Sequence, residues 1–326
     1  MLVVYVVLLF AIPSALTIGG LGSLGKPSLW WGLMLLLWWL LSRMQTRAKD
    51  VPQVRQPLVS MLGLVIVAAL IAFAAAMMRG QPADQVSPAM TALVRLASWS
   101  GVFLVAVDGI RTHAEMRRLV RALSIAGGAL AALGLAQFYT GQSFVDWMLN
   151  IPGVSADSGG LDTRGGFARA SGTATHPLEY ATALACTLPL AIVTAIAGGF
   201  RTDGARRALR WWIPVVTITA SSLVSVSRSA IIGLVVAVLA TFPGVPRAYR
   251  WAVGVGGLVI ATVIAVTVPG ILTTMIALFT GAAEDPSTQS RTNALARVPE
   301  FISSSPVVGQ GFGTFLPRYY IFEIGR

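Results

Sequence analysis

The sequence predicts an all-α fold, a polytopic transmembrane bundle of about nine helices, from three observations. The chain of 326 residues is 55% hydrophobic and only 11% charged, whereas ordinary soluble domains are about 25% charged. Nine apolar runs interrupt it, several of them close to the roughly 20 residues that cross a hydrocarbon core of about 30 Å. Arginines occur in nearly every gap between the runs.

The apolar runs follow one another along most of the chain. In order, they are residues 2–19, 28–41, 57–78, 88–108, 122–139, 177–198, 211–226, 229–242 and 251–270. The first run has no Lys or Arg before it, whereas a cleaved signal peptide usually begins with a charged segment. We therefore expect a retained N-terminal helix.

Residues 211–242 could form one long helix or two short ones that meet at Ser227-Arg228-Ser229. A single crossing would leave Arg228 near the centre of the bilayer, at a cost of at least about 2.5–3.5 kcal/mol. It would also place the next arginines on the wrong side. We predict two helices, with Arg228 at the outer rim.

Lys and Arg are distributed unequally between the two sides of the predicted bundle. With a cytoplasmic N-terminus, the inner loops hold fourteen of them and the outer loops before residue 280 hold five. This bias predicts the N-terminus inside and the C-terminus outside. It also accounts for the net charge of +11 without a basic patch, so we expect no nucleic-acid partner. The single cysteine, Cys186, excludes an internal disulfide and a thiol metal site.

Three polar segments lie on the predicted outer face. The glycine-rich loop 141–175 precedes a helix, Arg228 lies at the hairpin tip, and Arg291 follows the ninth run. An arginine fork binds phosphate oxygens in a bidentate manner and stays charged in a low dielectric. We predict that Arg169, Arg228 and Arg291 bind a diphosphate. The alternative for each is snorkelling or nonspecific contact with lipid phosphate.

His176 and Glu179 are three residues apart at a predicted helix start, so they share a face. They are candidates for an acid/base or acceptor-binding pair. The alternative is helix capping, which a glutamate in the first turn favours. The glycines at 309–313 lack the Lys-Ser/Thr and the preceding strand of a phosphate loop, so that chemistry is excluded.

Three segments together carry a resemblance to a known family. Arg169 to Tyr180 (RASGTATHPLEY) is similar to a family segment in which an Arg is followed by Gly-Thr and then by His-Pro or Pro-Asn. Residues 227–230 look like its Ser-Arg-Ser/Gly-Ala motif. Arg291 and residues 305–315 look like the opening of its large extracytoplasmic loop, which ends in Pro-x-x-Gly-x-Gly-x-Gly-x-Phe. The chain resembles the O-antigen ligase/O-antigen polymerase superfamily of bacterial membrane glycan-transferring enzymes, in motifs over about 160–326.

The resemblance implies an inverting, metal-independent glycan transfer with no cofactor, in the bacterial cytoplasmic membrane. The donor would be a glycan on undecaprenyl diphosphate, and the acceptor a sugar hydroxyl on another lipid-linked glycan or an envelope component. Membrane lipids would be further partners. The family's arginines bind the diphosphate, which matches Arg169 and Arg228 most directly. The family also uses a late loop histidine, to which His176 does not correspond, and more helices follow it. Since the sequence stops at Arg326, we expect a truncated reading frame or a fragment.

The predicted organisation is therefore a helical bundle over 1–280 and the beginning of a large outer loop over 281–326. Two other functions share the helices and arginines. One is a transporter of polysaccharide or lipid-linked oligosaccharide, for which binding groups near mid-membrane and repeat symmetry are expected. The other is a noncatalytic membrane protein of envelope assembly.

Overall fold

The computed structural model of the protein describes residues 1–44, 56–156, 161–200, 208–281, 286–303 and 305–314. In that part of the chain most residues are helical. The helices are α1 (Leu2–Ala11), α2 (Pro27–Met44), α3 (Pro57–Met78), α4 (Ala83–Gly109), α5 (His113–Thr140), α6 (Pro177–Ile196), α7 (Trp212–Val224), α8 (Arg228–Thr241), α9 (Arg247–Thr267), α10 (Ile271–Thr280) and α11 (Pro286–Ser303). Short strands pair as β1 (Leu16–Ile18) with β2 (Val154–Ala156) and as β3 (Thr163–Arg164) with β4 (Phe167–Ala168).

Each predicted apolar run contains one helix, which is consistent with an all-α membrane protein. Within the described residues, five helices are long and apolar enough to cross a membrane, namely α3, α4, α5, α6 and α9. Residues 211–242 form two helices, α7 and α8, as the insertion cost of Arg228 predicted. The number of crossings and the orientation stay predictions.

The first apolar run departs from the prediction. Helix α1 ends at Ala11, and Ile12 is extended (φ −94°, ψ 126°) because a residue that precedes proline, here Pro13, avoids the helical region. The chain continues as β1, which pairs antiparallel with β2 of the distant loop. A helix of 10 residues is about 15 Å long, half a hydrocarbon core. The predicted helix over 2–19 is therefore wrong beyond Ala11.

The chain divides into two compact units. The first contains Met1–Gly22 and Arg111–Ala282, and the second contains Ser23–Ile110 and Ala283–Arg326. The predicted boundary near residue 280 stays a prediction. Helices α10 and α11 follow the ninth apolar run and were not predicted, and the chain beyond Thr314 lies outside the described residues.

Small residues set the packing of the first unit around α5, α6, α7 and α8. A Cβ on Gly127 or Gly134 would overlap the side chains of Thr187 and Tyr180, and a Cβ on Gly128 would come within 2.9 Å of Pro214. Such glycines allow helices to approach closely, as is typical of membrane bundles. The buried core beside them includes Leu130, Leu184, Leu188, Ile192, Ile218 and Leu234.

From α5 to α9, consecutive helices of the first unit alternate in direction. Phe138 near the end of α5, Val224 at the end of α7, Val226 before α8 and Ile271 at the start of α10 share one apolar cluster. We call this end of the unit, where α5 and α7 finish and α8 begins, the loop end, because the loop 141–175 attaches there. The candidate residues of the first unit lie at the loop end.

In the second unit, α2 packs tightly on α4. A Cβ on Gly32 would overlap Ser98, whose hydroxyl donates to the Leu29 carbonyl at 2.9 Å. Near the other end of the pair, Asp108 accepts hydrogen bonds from the Trp39 indole at 2.6 Å and from Arg43. These contacts hold α2 and α4 together along their length.

Candidate functional site

Gln137 fastens the two ends of the long loop to α5. Its side chain is fully buried. Its amide nitrogen donates to the carbonyls of Ser143 at 2.8 Å and Gly172 at 2.9 Å, and its amide oxygen accepts from the backbone N–H groups of Ser171 at 3.1 Å and Gly172 at 2.7 Å. All four hydrogen-bonding positions of the amide are thus used on the backbone. One residue therefore determines where the segment that carries Arg169 and His176 leaves the bundle.

Arg169 follows a two-stranded hairpin. Gly165 and Gly166, with φ of 58° and 83°, form the turn between β3 and β4, and two positive φ values in succession are the geometry of a type I′ turn. Phe167 stacks on Phe138 with ring centroids 5.9 Å apart. The backbone N–H of Arg169 donates to the Asp162 carbonyl at 2.7 Å, and its side chain is only 16% exposed. The hairpin therefore positions Arg169 against the end of α5.

Arg228 is the first residue of α8, directly after a buried turn. Val226 in that turn is fully buried and has a φ of 47°, a conformation that is strained for a β-branched residue. The N-cap residue Ser227 makes no side-chain capping bond, and the first turn of α8 has no acidic residue. A cation at a helix N-terminus is disfavoured by the helix dipole. The guanidinium and the helix N-terminus together favour a bound anion.

The structure brings Arg169 and Arg228 to the same end of the first unit. Each arginine follows by two residues a side chain that packs in one apolar cluster, Phe167 in one case and Val226 in the other. The guanidinium of Arg169 also lies 3.9 Å from an Asp162 carboxylate oxygen. Arg169, in the connection between α5 and α6, and Arg228, at the start of α8, thus both lie at the loop end. The sequence predicts these two residues for a diphosphate site.

His176 and Glu179 are placed as a helix cap. His176 is the N-cap of α6, and its Nδ1 accepts from the Leu178 N–H at 3.1 Å. A neutral imidazole that accepts at Nδ1 carries its proton on Nε2. Glu179 accepts from the Ser14 hydroxyl at 3.1 Å and from the Thr175 N–H at 3.3 Å. These contacts favour the capping interpretation, and the acid/base role stays a prediction.

A cavity of about 700 Å³ extends from this cap between α1, α5 and α6. Ser14, His176 and Glu179 contribute polar groups at its mouth, and three threonines also line it. Most of the remaining lining is apolar, including Leu9, Phe10, Leu123, Leu130 and Leu190. The cavity therefore joins a polar mouth at the loop end to an apolar interior along α6.

Arg291 lies in the second unit, exposed on α11. The glycine segment that follows α11 packs on α3 and α4. The Arg79 guanidinium donates to the Gly309 carbonyl at 3.0 Å, and a Cβ on Gly311 or Gly313 would overlap Ala76 or Ala92. Close backbone approach explains these glycines, without the phosphate-loop chemistry that the sequence had excluded.

Sequence reasoning missed Gln137. The signal was present, since an amide near the end of an otherwise apolar run is unusual and must find partners. Among the described residues, no group of three or more His, Cys, Asp or Glu side chains is placed to hold a metal ion.

Comparison with known proteins gives one match. Residues 213–326 match a family model described as O-antigen ligase. This range contains Arg228 and Arg291, and it begins after Arg169, His176 and Glu179. No curated protein and no solved structure matches the chain. The family match supports membership of the chain in the O-antigen ligase/polymerase superfamily.

Proposed function

We propose that this protein transfers a glycan from undecaprenyl diphosphate to a hydroxyl of a sugar or another envelope acceptor, at the outer face of the bacterial cytoplasmic membrane. The family match supports glycan transfer of the O-antigen ligase/polymerase type in polysaccharide assembly. The observation that carries the finer proposal is that Phe167 and Val226, each two residues before one of the two arginines, pack in one apolar cluster at the loop end.

The reaction exchanges one bond to the anomeric carbon. The acceptor hydroxyl oxygen forms a bond to that carbon, and the bond from the carbon to the diphosphate oxygen breaks. The diphosphate leaves with the bonding electrons, and the hydroxyl proton passes to a base. Negative charge therefore grows on the diphosphate, and cationic groups that are already in position stabilise it.

Arg169 and Arg228 supply that stabilisation in this proposal. Arg169 is mostly buried and Arg228 is half-buried, so their charges act in a lower dielectric than bulk water. The N-terminus of α8 adds backbone N–H groups and the positive end of its dipole. Arg291 stays a sequence-based prediction for diphosphate binding, which is supported by the family resemblance and by its presence in the matched range.

The cavity beside α6 supports a lipid-linked substrate. Its apolar interior between α1 and α6 suits an isoprenoid chain, while its polar mouth lies at the loop end. His176 is exposed there, and its Nε2–H is a donor for an acceptor sugar oxygen. In this proposal His176 and Glu179 contribute to acceptor binding and do not act as the base.

Replacement of Arg228 by alanine tests the proposal. Transfer from a lipid-linked donor and binding of undecaprenyl diphosphate are measured separately, in membranes that contain the variant. We expect Arg228→Ala to lower transfer about 10²- to 10³-fold, as loss of a preorganised charge donor does, and to weaken binding, with membrane insertion unchanged.

Arg247→Ala is the matched control. Arg247 is also the first residue of a helix, α9, and is exposed, but α9 begins at the opposite end of the first unit. We expect this variant to transfer and bind normally. Unchanged transfer and binding by Arg228→Ala, or equal losses in both variants, would count against the proposed site.

A further inference from the structure

Three arginines and two aromatic rings cluster at the end of the first unit opposite the loop end. The Arg121 guanidinium lies 5.9 Å from the ring centroids of both Phe200 and Trp211, and Arg117 lies 5.7 Å from Phe200. Arg210 directly precedes Trp211 and is exposed. None of these residues belongs to the proposed transfer site.

The backbone is shaped to build this cluster. Gly198, Gly199 and Phe200 have φ values of 57°, 68° and 62° in succession, which is unusual and strained at Phe200. A Cβ on Gly199 would overlap the Trp211 indole. The left-handed turn after α6 therefore fits tightly around Trp211 and presents Phe200 to the two arginines of α5.

The charge of Arg121 is not neutralised by the described part of the protein. Its Nε is buried and has no hydrogen-bond partner there, and no described carboxylate forms an ion pair with Arg117, Arg121 or Arg210. Two other charged groups at this end have partners. Glu115 closes a capping box with Thr112, and Arg250 donates to the carbonyls of Val245 at 3.0 Å and Pro243 at 3.4 Å.

An apolar groove begins at the same cluster. It has a volume of about 520 Å³, lies between α5 and α7, and has Arg210 and Trp211 at one end. Its walls include Ile125, Ala129 and Ala132 from α5 and Ile213 and Pro214 from α7. Ile125 follows Arg121 by four residues, so the cationic cluster and the groove occupy one face of α5.

We propose that this cluster and groove bind one anionic phospholipid of the adjacent leaflet. The headgroup phosphate contacts Arg121 and Arg210, and one acyl chain lies in the groove between α5 and α7. The arginine bias of the sequence predicts that this leaflet is the cytoplasmic one.

The chemistry of the cluster selects this class of ligand. Planar guanidinium groups bind phosphate oxygens in pairs, and basic pockets between membrane helices bind anionic headgroups. Tryptophan is favoured at the headgroup level. A zwitterionic lipid would leave the cationic cluster less well neutralised, and inorganic phosphate would leave the groove empty. An anionic phospholipid neutralises the arginines with its headgroup and fills the groove with an acyl chain.

Native mass spectrometry of the purified protein tests the proposal with defined probes. The protein in detergent is titrated with phosphatidylglycerol, phosphatidylcholine or inorganic phosphate. We expect one phosphatidylglycerol to be retained in preference to phosphatidylcholine, with no displacement by inorganic phosphate. Arg121→Gln and Arg210→Gln should each weaken retention about tenfold, the scale of a lost hydrogen bond to a charged group. Ala132→Trp should weaken it by filling the groove with both arginines intact.

Arg118→Gln is the matched control, because Arg118 is exposed on the same helix and the charge change is identical. It should retain phosphatidylglycerol within about twofold of the unaltered protein, as a peripheral charge does at moderate salt. Equal retention of the two lipids, an equal loss in Arg118→Gln, or binding of inorganic phosphate as tight as that of phosphatidylglycerol would overturn the proposal. Melting temperatures identify variants that fail to fold. If Arg121→Gln does not fold, Arg210→Gln still tests the headgroup contact, because Arg210 is at an exposed position.

Discussion

Replacing Gln137 by leucine should release the loop that carries Arg169. Leucine has nearly the same size, so the side chain still fills the core, but it makes none of the four hydrogen bonds to Ser143, Ser171 and Gly172. Gly172 is buried, so both its N–H and its carbonyl lose their partner away from water. The perturbation is therefore confined to the polar anchoring of the loop.

The magnitude follows from the count of hydrogen bonds. Each one contributes about 1 kcal/mol net, and a stranded buried group costs about 1–3 kcal/mol. Four lost bonds therefore weaken the anchoring by about 4 kcal/mol or more, which corresponds to local opening about 10³-fold more frequent. Gln137→Glu keeps the two acceptor bonds, but its second oxygen has no hydrogen to donate and faces the Ser143 and Gly172 carbonyls. Because a buried carboxylate is also costly, this change should weaken the anchoring at least as much as Gln137→Leu.

Hydrogen–deuterium exchange of the peptide that contains Ser171 and Gly172 measures this opening. We expect exchange to accelerate, and binding of undecaprenyl diphosphate to weaken, in both Gln137→Leu and Gln137→Glu. Gln142→Leu, at an exposed position of the same loop, should leave exchange at these two amides unchanged. Unchanged exchange at Ser171 and Gly172 in Gln137→Leu would refute the anchoring role.

Three further substitutions test the packing. Gly134→Ala places a methyl group on the Tyr180 hydroxyl and should lower the free energy of unfolding by about 1–3 kcal/mol in an SDS titration, whereas Gly254→Ala, with open space around it, should not destabilise. Glu179→Ala removes the acceptor that ties Ser14, in the segment after α1, to the start of α6, and it should cost about 1 kcal/mol in the same titration while diphosphate binding persists. A large loss of binding with normal stability would instead indicate a direct role. Gly313→Ala, at a φ of 75° and against α4, should expose the glycine segment to protease, and an unaltered cleavage pattern would contradict the packing described for it.

The helices could largely be predicted from the sequence, because a run of apolar residues of sufficient length has few other structures available in a membrane. The prediction of two helices over residues 211–242, which rests on the cost of inserting Arg228 into the membrane, is confirmed by α7 and α8. The first run was predicted too long, although Pro13 gave a stop signal within it. Its continuation as β1 depends on pairing with β2, more than a hundred residues away, and hydropathy contains no information about such a partner.

The sequence predicted which types of residue form the candidate site, but it did not predict how they are arranged in space. Arg169 and Arg228 could be selected because phosphate chemistry needs guanidinium groups. Their placement at one end of the unit depends on Phe167 and Val226, whose contacts are tertiary. The Gly165-Gly166 pair is a hairpin signal, whereas the composition of the segment predicts only a polar loop. Gln137 was missed because its four partners are backbone groups, which no pattern of side chains reveals.

The central claim is that Arg169 and Arg228 bind the same diphosphate. A double-mutant cycle on binding of undecaprenyl diphosphate tests this claim most directly. Affinities are measured for the unaltered protein, Arg169→Ala, Arg228→Ala and the double variant. We predict that each single change weakens binding and that the two losses are coupled by at least about 0.5 kcal/mol, as residues that share a partner are. Strictly additive losses, or a single variant that binds as well as the unaltered protein, would contradict it.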